Sequence, residues 1–202
     1  MNFTQRFLTH AVLSLAFGLF LSWGASATGT GRIFVTNEKD DTVSVINGST
    51  HEVEATIEIG KRPRGIGLSP DGSEIYVALS NDNAIAAIDP QSLKILRTFS
   101  GGDDPEAFAV HPNGNIYISN EDDAKATVIN PQSGDVVAEI KVGLEPEGVA
   151  ISPDGKKVIV TSESTNMLHV IDVPAHTISA NILVGARPRA ATFNKAGTIA
   201  YA

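Results

Sequence analysis

With 202 residues, 23 acidic side chains against 15 basic ones and a formal net charge of −8, the chain lacks the basic surface that neutralises phosphates, which argues against nucleic-acid binding. It contains no cysteine, so iron–sulfur, thiolate-zinc and cysteine-nucleophile chemistry are excluded and no disulfide framework supports the fold. Stability must come from buried apolar surface and sheet hydrogen bonds.

At the amino end, Arg6 makes a weakly positive start, an apolar run extends from Ala11 to Trp23, and Ala25-Ser26-Ala27 offers small residues at a cleavage site. The pattern predicts a secretory signal peptide over residues 1–27 and a periplasmic or secreted mature chain from Thr28. Retention as an uncleaved anchor is the alternative. No later stretch approaches the roughly 18 apolar residues of a membrane span, so none is expected after cleavage.

From there the chain is a repeat. GKRPRGIGLSPDG (Gly60–Gly72) returns as GDDPEAFAVHPNG from Gly102, as GLEPEGVAISPDG from Gly143 and as GARPRAATFNKAG from Gly185. Pro63, Pro105, Pro146 and Pro188 lie 42, 41 and 42 residues apart, a period that points to radial repetition of small sheets. Each unit reads as four strands. The first follows the proline (64–69, 106–111, 147–152, 189–194) and alternates larger apolar residues with small ones, as suits a crowded strand beside the axis. A turn such as Ser69-Pro70-Asp71-Gly72 supplies the positive φ of a hairpin. Strand two (33–37, 75–80, 116–120, 158–162) is apolar on both faces, as expected for a sheet sandwiched between neighbours. After a polar loop, strand three ends in Ile46-Asn47, Ile88-Asp89, Ile129-Asn130 and Ile171-Asp172. Strand four (53–59, 94–99, 136–142, 178–184) carries more charge and reads as the outer edge. The prediction is an all-β fold, a β-propeller of four-stranded blades. The mature chain begins on strand two and ends inside a further strand two. It is therefore expected to be about four blades of a longer propeller rather than a closed four-bladed ring completed by the strand at 189–194.

Phe34-Val35-Thr36-Asn37, Ile75-Tyr76-Val77-Ala78 and Ile116-Tyr117-Ile118-Ser119-Asn120, each beside a PDG-type turn, resemble the YVTN-repeat β-propeller family over the whole mature chain. GRIFVTNEKDDTVSVI, GKRPRGIGLSPDG, EPEGVAISPDGK and SESTNMLHVID are similar to exported propellers associated with PQQ-dependent alcohol catabolism. The resemblance implies about seven blades and a role beside alcohol or aldehyde oxidation, with a periplasmic dehydrogenase, its electron acceptor or a small metabolite as partner. Related propellers include haem-bearing domains, lactonases and adhesive surface repeats, so membership alone does not assign a function.

The residues flanking each repeat proline form the main candidate site: Arg62 and Arg64, Asp104 and Glu106, Glu145 and Glu147, Arg187 and Arg189. In an extended strand, i and i+2 point the same way, so each blade should present two like charges at one mouth of the channel. The order around the axis is basic, acidic, acidic, basic. Two readings stay open: a structural charge ring that fixes blade order, or a ligand or cation site. Met167 and His169 share a strand face, but other repeats supply no further metal ligand, and both read as core. His111 reads as a turn residue. There is no C-x-x-C-H for haem, no G-x-S-x-G nucleophile elbow and no calcium-loop motif; no cofactor, metal or catalytic residue is assigned. The polar loops with their acidic pairs read as solvated tips. The chain is expected to be a binding or accessory protein. The alternatives are a lactonase-like hydrolase using Glu106 or Glu147 as general base, and a structural surface-repeat protein.

Overall fold

The protein is described here by a computed structural model covering residues 29–202; the predicted signal peptide and Thr28 lie outside the described residues. Among the described residues, seventeen strands run in chain order with a single 3-10 turn at Ser80–Asp82. The first sheet holds β1 (Arg32–Asn37), β2 (Thr42–Asn47) and β3 (Val53–Glu58). The second holds β4 (Pro63–Leu68), β5 (Ile75–Leu79), β6 (Ala84–Ile88) and β7 (Ile95–Ser100). The third holds β8 (Pro105–Val110), β9 (Ile116–Asn120), β10 (Lys125–Ile129) and β11 (Val136–Lys141). The fourth holds β12 (Pro146–Ile151), β13 (Lys157–Ser162), β14 (Met167–Asp172) and β15 (Thr177–Leu183). In each four-stranded sheet the strands are antiparallel and lie in chain order, which is the blade expected from the repeat.

The inner strands β4, β8 and β12 pack on one another in series, and β12 packs on β16 (Thr192–Phe193). This inner position explains the small residues. A Cβ on Gly148 would sit 2.8 Å from the Cα of Ala190, and one on Gly65 would sit 3.0 Å from the Cα of Ala107. β16 pairs with β17 (Ala200–Tyr201) and not with β1, so it begins a further blade. It is shorter than the six residues expected because only two pairs form with β17.

Cores lie between the sheets. Tyr76, Ala78, Ile85 and Ala87 of the second sheet meet Ile116, Ile118 and Ile129 of the third. Tyr117, Ala126 and Val128 of the third meet Val158, Val160 and Ile171 of the fourth. Strands two and three are therefore covered on both faces, and each fully buried large side chain stabilises by about 1.5–3 kcal/mol. The hairpin after each inner strand closes through a bond such as Gly72 N–H to Ser69 O (2.9 Å). Its glycine is left-handed in all four copies (φ 69 to 94°), which a side chain would oppose. The outer strands are more apolar than expected: Val53, Leu96, Val136, Ile182 and Leu183 are exposed. Among the described residues no helix is long and apolar enough to cross a membrane.

Candidate functional site

The proline end of each inner strand is built by two contacts that recur with the repeat. After strand two, the backbone N–H of Ser80, Glu121 and Glu163 donates to the carbonyl of Arg62, Asp104 and Glu145 (3.1, 3.1 and 2.8 Å). This ties the exit of strand two to the residue before the proline. From the preceding blade, the side-chain oxygens of Asp41, Asn83 and Asn166 accept from the N–H of Arg62, Asp104 and Arg187 (2.9, 3.0 and 2.9 Å).

The residue before each proline is left-handed: Arg62 has φ 53°, Asp104 42°, Glu145 52° and Arg187 56°. Non-glycine residues rarely adopt this conformation, and the position before proline normally prefers extended backbone. The expectation that simple strand alternation aligns the two flanking charges is thus corrected. The first of each pair sits in a left-handed corner, and a register shift follows the proline in β4, β8 and β12. The charges nevertheless converge, because the corner turns the first side chain toward the mouth.

There they interlock across blades. Arg62 reaches Asp104 (3.0 Å) and Glu106 (3.0 Å) on the next blade and Glu38 (3.2 Å) on the one before. Arg64 pairs with Glu38 (3.1 Å), with Glu106, and across one blade with Glu147 (3.6 Å). Arg189 pairs with Glu147 (2.6 Å) and Glu163 (3.2 Å), and Arg187 pairs with Glu163. Seven of the eight predicted residues join this network; Glu145 instead accepts from the Ser164 hydroxyl.

Glu38, Glu121 and Glu163 also belong to the site, although in the sequence their loops read as solvated tips. They follow strand two at the same repeat position, with Ser80 as the fourth copy, and their 42- or 41-residue spacing was available in the sequence. Glu106 is only 2% exposed and Glu163 only 3%. Both oxygens of Glu106 face arginines yet accept no aligned hydrogen bond. Burial pushes the Glu106 carboxyl up to about 8, against the opposing pull of Arg64 and Arg62; the protonated form can donate to Glu121, and that bond and the charge of Glu147 add to the rise. Burial also raises Glu147, opposed by Arg189. Asp104, Glu106 and Glu121 each bring a carboxylate oxygen within 4.8 Å of the others.

The histidines are structural, as read. His169 accepts from Gly143 N–H at Nε2 (2.8 Å), so its Nδ1 carries the proton and donates to Asn181 (2.6 Å). His111 accepts from Asn113 N–H at Nδ1 (3.1 Å) and donates from Nε2 to Gly155 O (2.8 Å). Both ring nitrogens are engaged in each case, leaving none for a metal. Met167 is half-buried beside them on β14. Away from the mouth, an apolar cleft of about 420 Å³ lies between the first two sheets, lined by Phe34, Ile66, Leu68 and Ile75 among others.

A family model described as YNCE-like beta-propeller matches residues 11–126, more than half of the chain. No curated protein matches the sequence. Among solved structures, the hydrazine synthase of Kuenenia stuttgartiensis is similar with a TM-score of 0.75 at 21% identity, over 81% of this chain and 49% of that one. A catalytically inactive virginiamycin B lyase from Staphylococcus aureus, solved with quinupristin, is similar with a TM-score of 0.69 at 18% identity, over 80% of this chain and 56% of that one. The chain therefore spans about half the length of these structures, and at such identities the likeness concerns the fold alone.

Proposed function

The chain belongs to the YNCE-like β-propeller family, and from that premise we propose that it is an exported binding or accessory protein that docks its partner at the acidic mouth of the channel. The observation that carries this is the charge imbalance there. Arg62, Arg64, Arg187 and Arg189 between them serve Glu38, Asp104, Glu106, Glu147 and Glu163, while Glu121 stands beside Asp104 and Glu106 without an ion pair among the described residues. A surface with excess negative charge recruits a cationic or basic partner and accelerates its encounter.

The partner proposed is a component of PQQ-dependent alcohol oxidation: the dehydrogenase, a basic electron acceptor or a positively charged metabolite. Support comes from the sequence resemblance to exported propellers of that system. The hydrolytic alternative has less support, since Glu106 and Glu147 are buried and held by guanidinium groups, where a substrate proton is out of reach. The test is association of the mature protein with a purified PQQ-dependent alcohol dehydrogenase, followed by calorimetry across salt concentrations, with growth of a deletion strain on alcohols. Expected are saturable binding that weakens as salt rises and impaired growth on alcohols. Absence of both overturns the assignment.

A further inference from the structure

We propose that the open edge of β1 is a strand-acceptor site whose occupant is a later segment of the same polypeptide, beyond residue 202. The segment it selects carries an acidic residue directly after a proline, and small residues two and four positions after that proline. Such a site is separate from the docking role of the mouth and stands without it.

The second strand of each complete blade is paired on both sides: β5 with β4 and β6, β9 with β8 and β10, β13 with β12 and β14. β1 holds that position in the first sheet and pairs only with β2. Its other side is equipped for an inner strand. The hydroxyls of Ser119 and Thr161 accept from the N–H two residues after the proline of their own blade, Ala107 (3.0 Å) and Gly148 (2.8 Å). Ser119 also donates to Glu147 O on the next blade (2.6 Å), and Thr36, at the same repeat position, donates to Arg64 O on its next blade (2.9 Å). The Thr36 oxygen accepts from no N–H among the described residues. The N–H groups of Glu121 and Glu163 bond the carbonyl before their proline (3.1 and 2.8 Å); that of Glu38, the corresponding residue, has no such carbonyl among the described residues. The apolar cleft of about 420 Å³ lies on this side, lined by Phe34 of β1 and by Ile66 and Leu68 of β4. Leu68 is 57% exposed, whereas Val110 and Ile151 at the same repeat position are half-buried.

The chemistry of the occupant follows from what β4 presents. A Cβ on Gly65 or Gly67 would come within 3.2 or 3.0 Å of the Phe108 ring, so an inner strand meets the next one through small residues two and four positions after its proline. The same positions of the occupant meet Ile66 and Leu68. Charge selects further. Glu38 pairs with Arg62 and Arg64 as Glu163 pairs with Arg187 and Arg189. The inner strand in the sheet of Glu163 is β12, whose Glu147 pairs with Arg189. By the repeat, the place beside Arg64 suits a strand of the β12 kind, with an acid after its proline. β16 does not suit it: β16 already pairs with β17, and Arg187 and Arg189 would gather against Arg62 and Arg64. A later segment of the same polypeptide is the source that fits, since the chain spans about half the length of the structures it resembles.

The experiment titrates the mature chain against two fluorescein-labelled peptides, one copying residues 143–155 and one copying residues 185–197, and reads fluorescence anisotropy. Expected is saturable binding of the first, about tenfold tighter or more than the second because its charges complement Arg62 and Arg64. Thr36→Val should weaken the first peptide about fivefold through the lost hydrogen bond, while Thr36→Ser, which keeps the hydroxyl, should stay within about twofold. The chain has no cysteine, so the register can be read by cross-linking in a glutathione redox buffer. Val149 lies opposite Val160 in the fourth sheet, and Val35 holds the place of Val160 in the first. Val35→Cys should therefore form a disulfide with the first peptide carrying Val149→Cys, and not with one carrying Ala150→Cys, which points to the other face. Cooperative unfolding of the parent and each variant, followed in the same samples, separates loss of the site from loss of the fold. Binding of neither peptide to the folded chain overturns the proposal. Preference for the second peptide would give the edge to β16 of another copy, and cross-linking without preference for register would reduce it to apolar adhesion; either result also overturns it.

Discussion

Along each inner strand, neighbouring blades meet by different means at the hairpin end and at the proline end. Toward the hairpins the contact is apolar and aromatic. Tyr117 is fully buried between the third and fourth sheets, and its hydroxyl lies 3.2 Å from His176 Nδ1 on the next blade. Tyr76 of the second sheet is likewise buried in one core with Ile116, Ile118 and Ile129 of the third. The hairpins satisfy their own polar groups locally, as Ser69 and Ser152 donate to Asp71 and Asp154 two residues on (2.6 and 2.7 Å). At the proline end the contact is charge, and every strong pair joins different blades. Apolar burial supplies most of the stability but accepts nearly any neighbour of the right size. A fixed order of basic, acidic, acidic and basic blades discriminates, because a wrong neighbour brings like charges together. The two adjacent acidic blades are reconciled by Arg64, which reaches past one of them to Glu147, and by Arg189, which reaches Glu147 from the other side.

The largest effect should therefore come from the hairpin half. Tyr117→Ala removes a fully buried ring and should cost about 3–5 kcal/mol, read as a drop in the denaturation midpoint. A loss below about 1 kcal/mol would mean that the charged half carries the interface, and the comparison would be inverted.

The hairpin half was readable in the sequence for a physical reason: its determinants are local. Gly72, Gly114 and Gly155 mark turns because the turn itself needs them, and the apolar strands announce themselves by composition. The proline half depends on partners 42 residues away, such as Arg62 with Asp104 or Arg189 with Glu147. There the sequence showed which residues share a level but not which ones touch. It also concealed the left-handed corners, since nothing in Arg62-Pro63 or Glu145-Pro146 signals positive φ. The loop position that caps each corner was visible only as a period. Asp41, Asn83 and Asn166 fill it, and Ala124 breaks it while keeping the same left-handed backbone (φ 51°).

That exception gives a smaller and opposite effect. Ala124 leaves the N–H of Glu145 without the side-chain acceptor that the other corners have, and alanine tolerates left-handed backbone less well than asparagine. Ala124→Asn should restore the bond and stabilise the protein by about 0.5–1.5 kcal/mol, measured by denaturant unfolding. No gain, or a loss, would show that the corner before β12 is held by its surroundings and not by its cap.

The smallest effect near pH 5, and the most discriminating, belongs to Glu106. A carboxyl whose folded pKa, about 8, lies above its ordinary 4.5 makes the folded state hold the extra proton. Its stabilising contribution is complete below about pH 4.5 and is lost as pH rises through about 8. Glu147, raised in the same direction by burial, slopes the same way. His176, lowered by burial and by the nearby His111, slopes oppositely, because its folded state sheds a proton first and gains stability as pH rises. Total profiles therefore mix several groups, and only the difference between parent and variant isolates one. Glu106→Gln keeps the shape and a neutral polar head. Near pH 5 it should match the parent within about 1 kcal/mol, and the parent should lose ground to it steadily toward pH 8. Unfolding measured across that range checks the sign. Parallel profiles would mean that Arg62 and Arg64 neutralise Glu106 fully, and that any uncompensated charge at the proline end lies on other carboxylates such as Glu121.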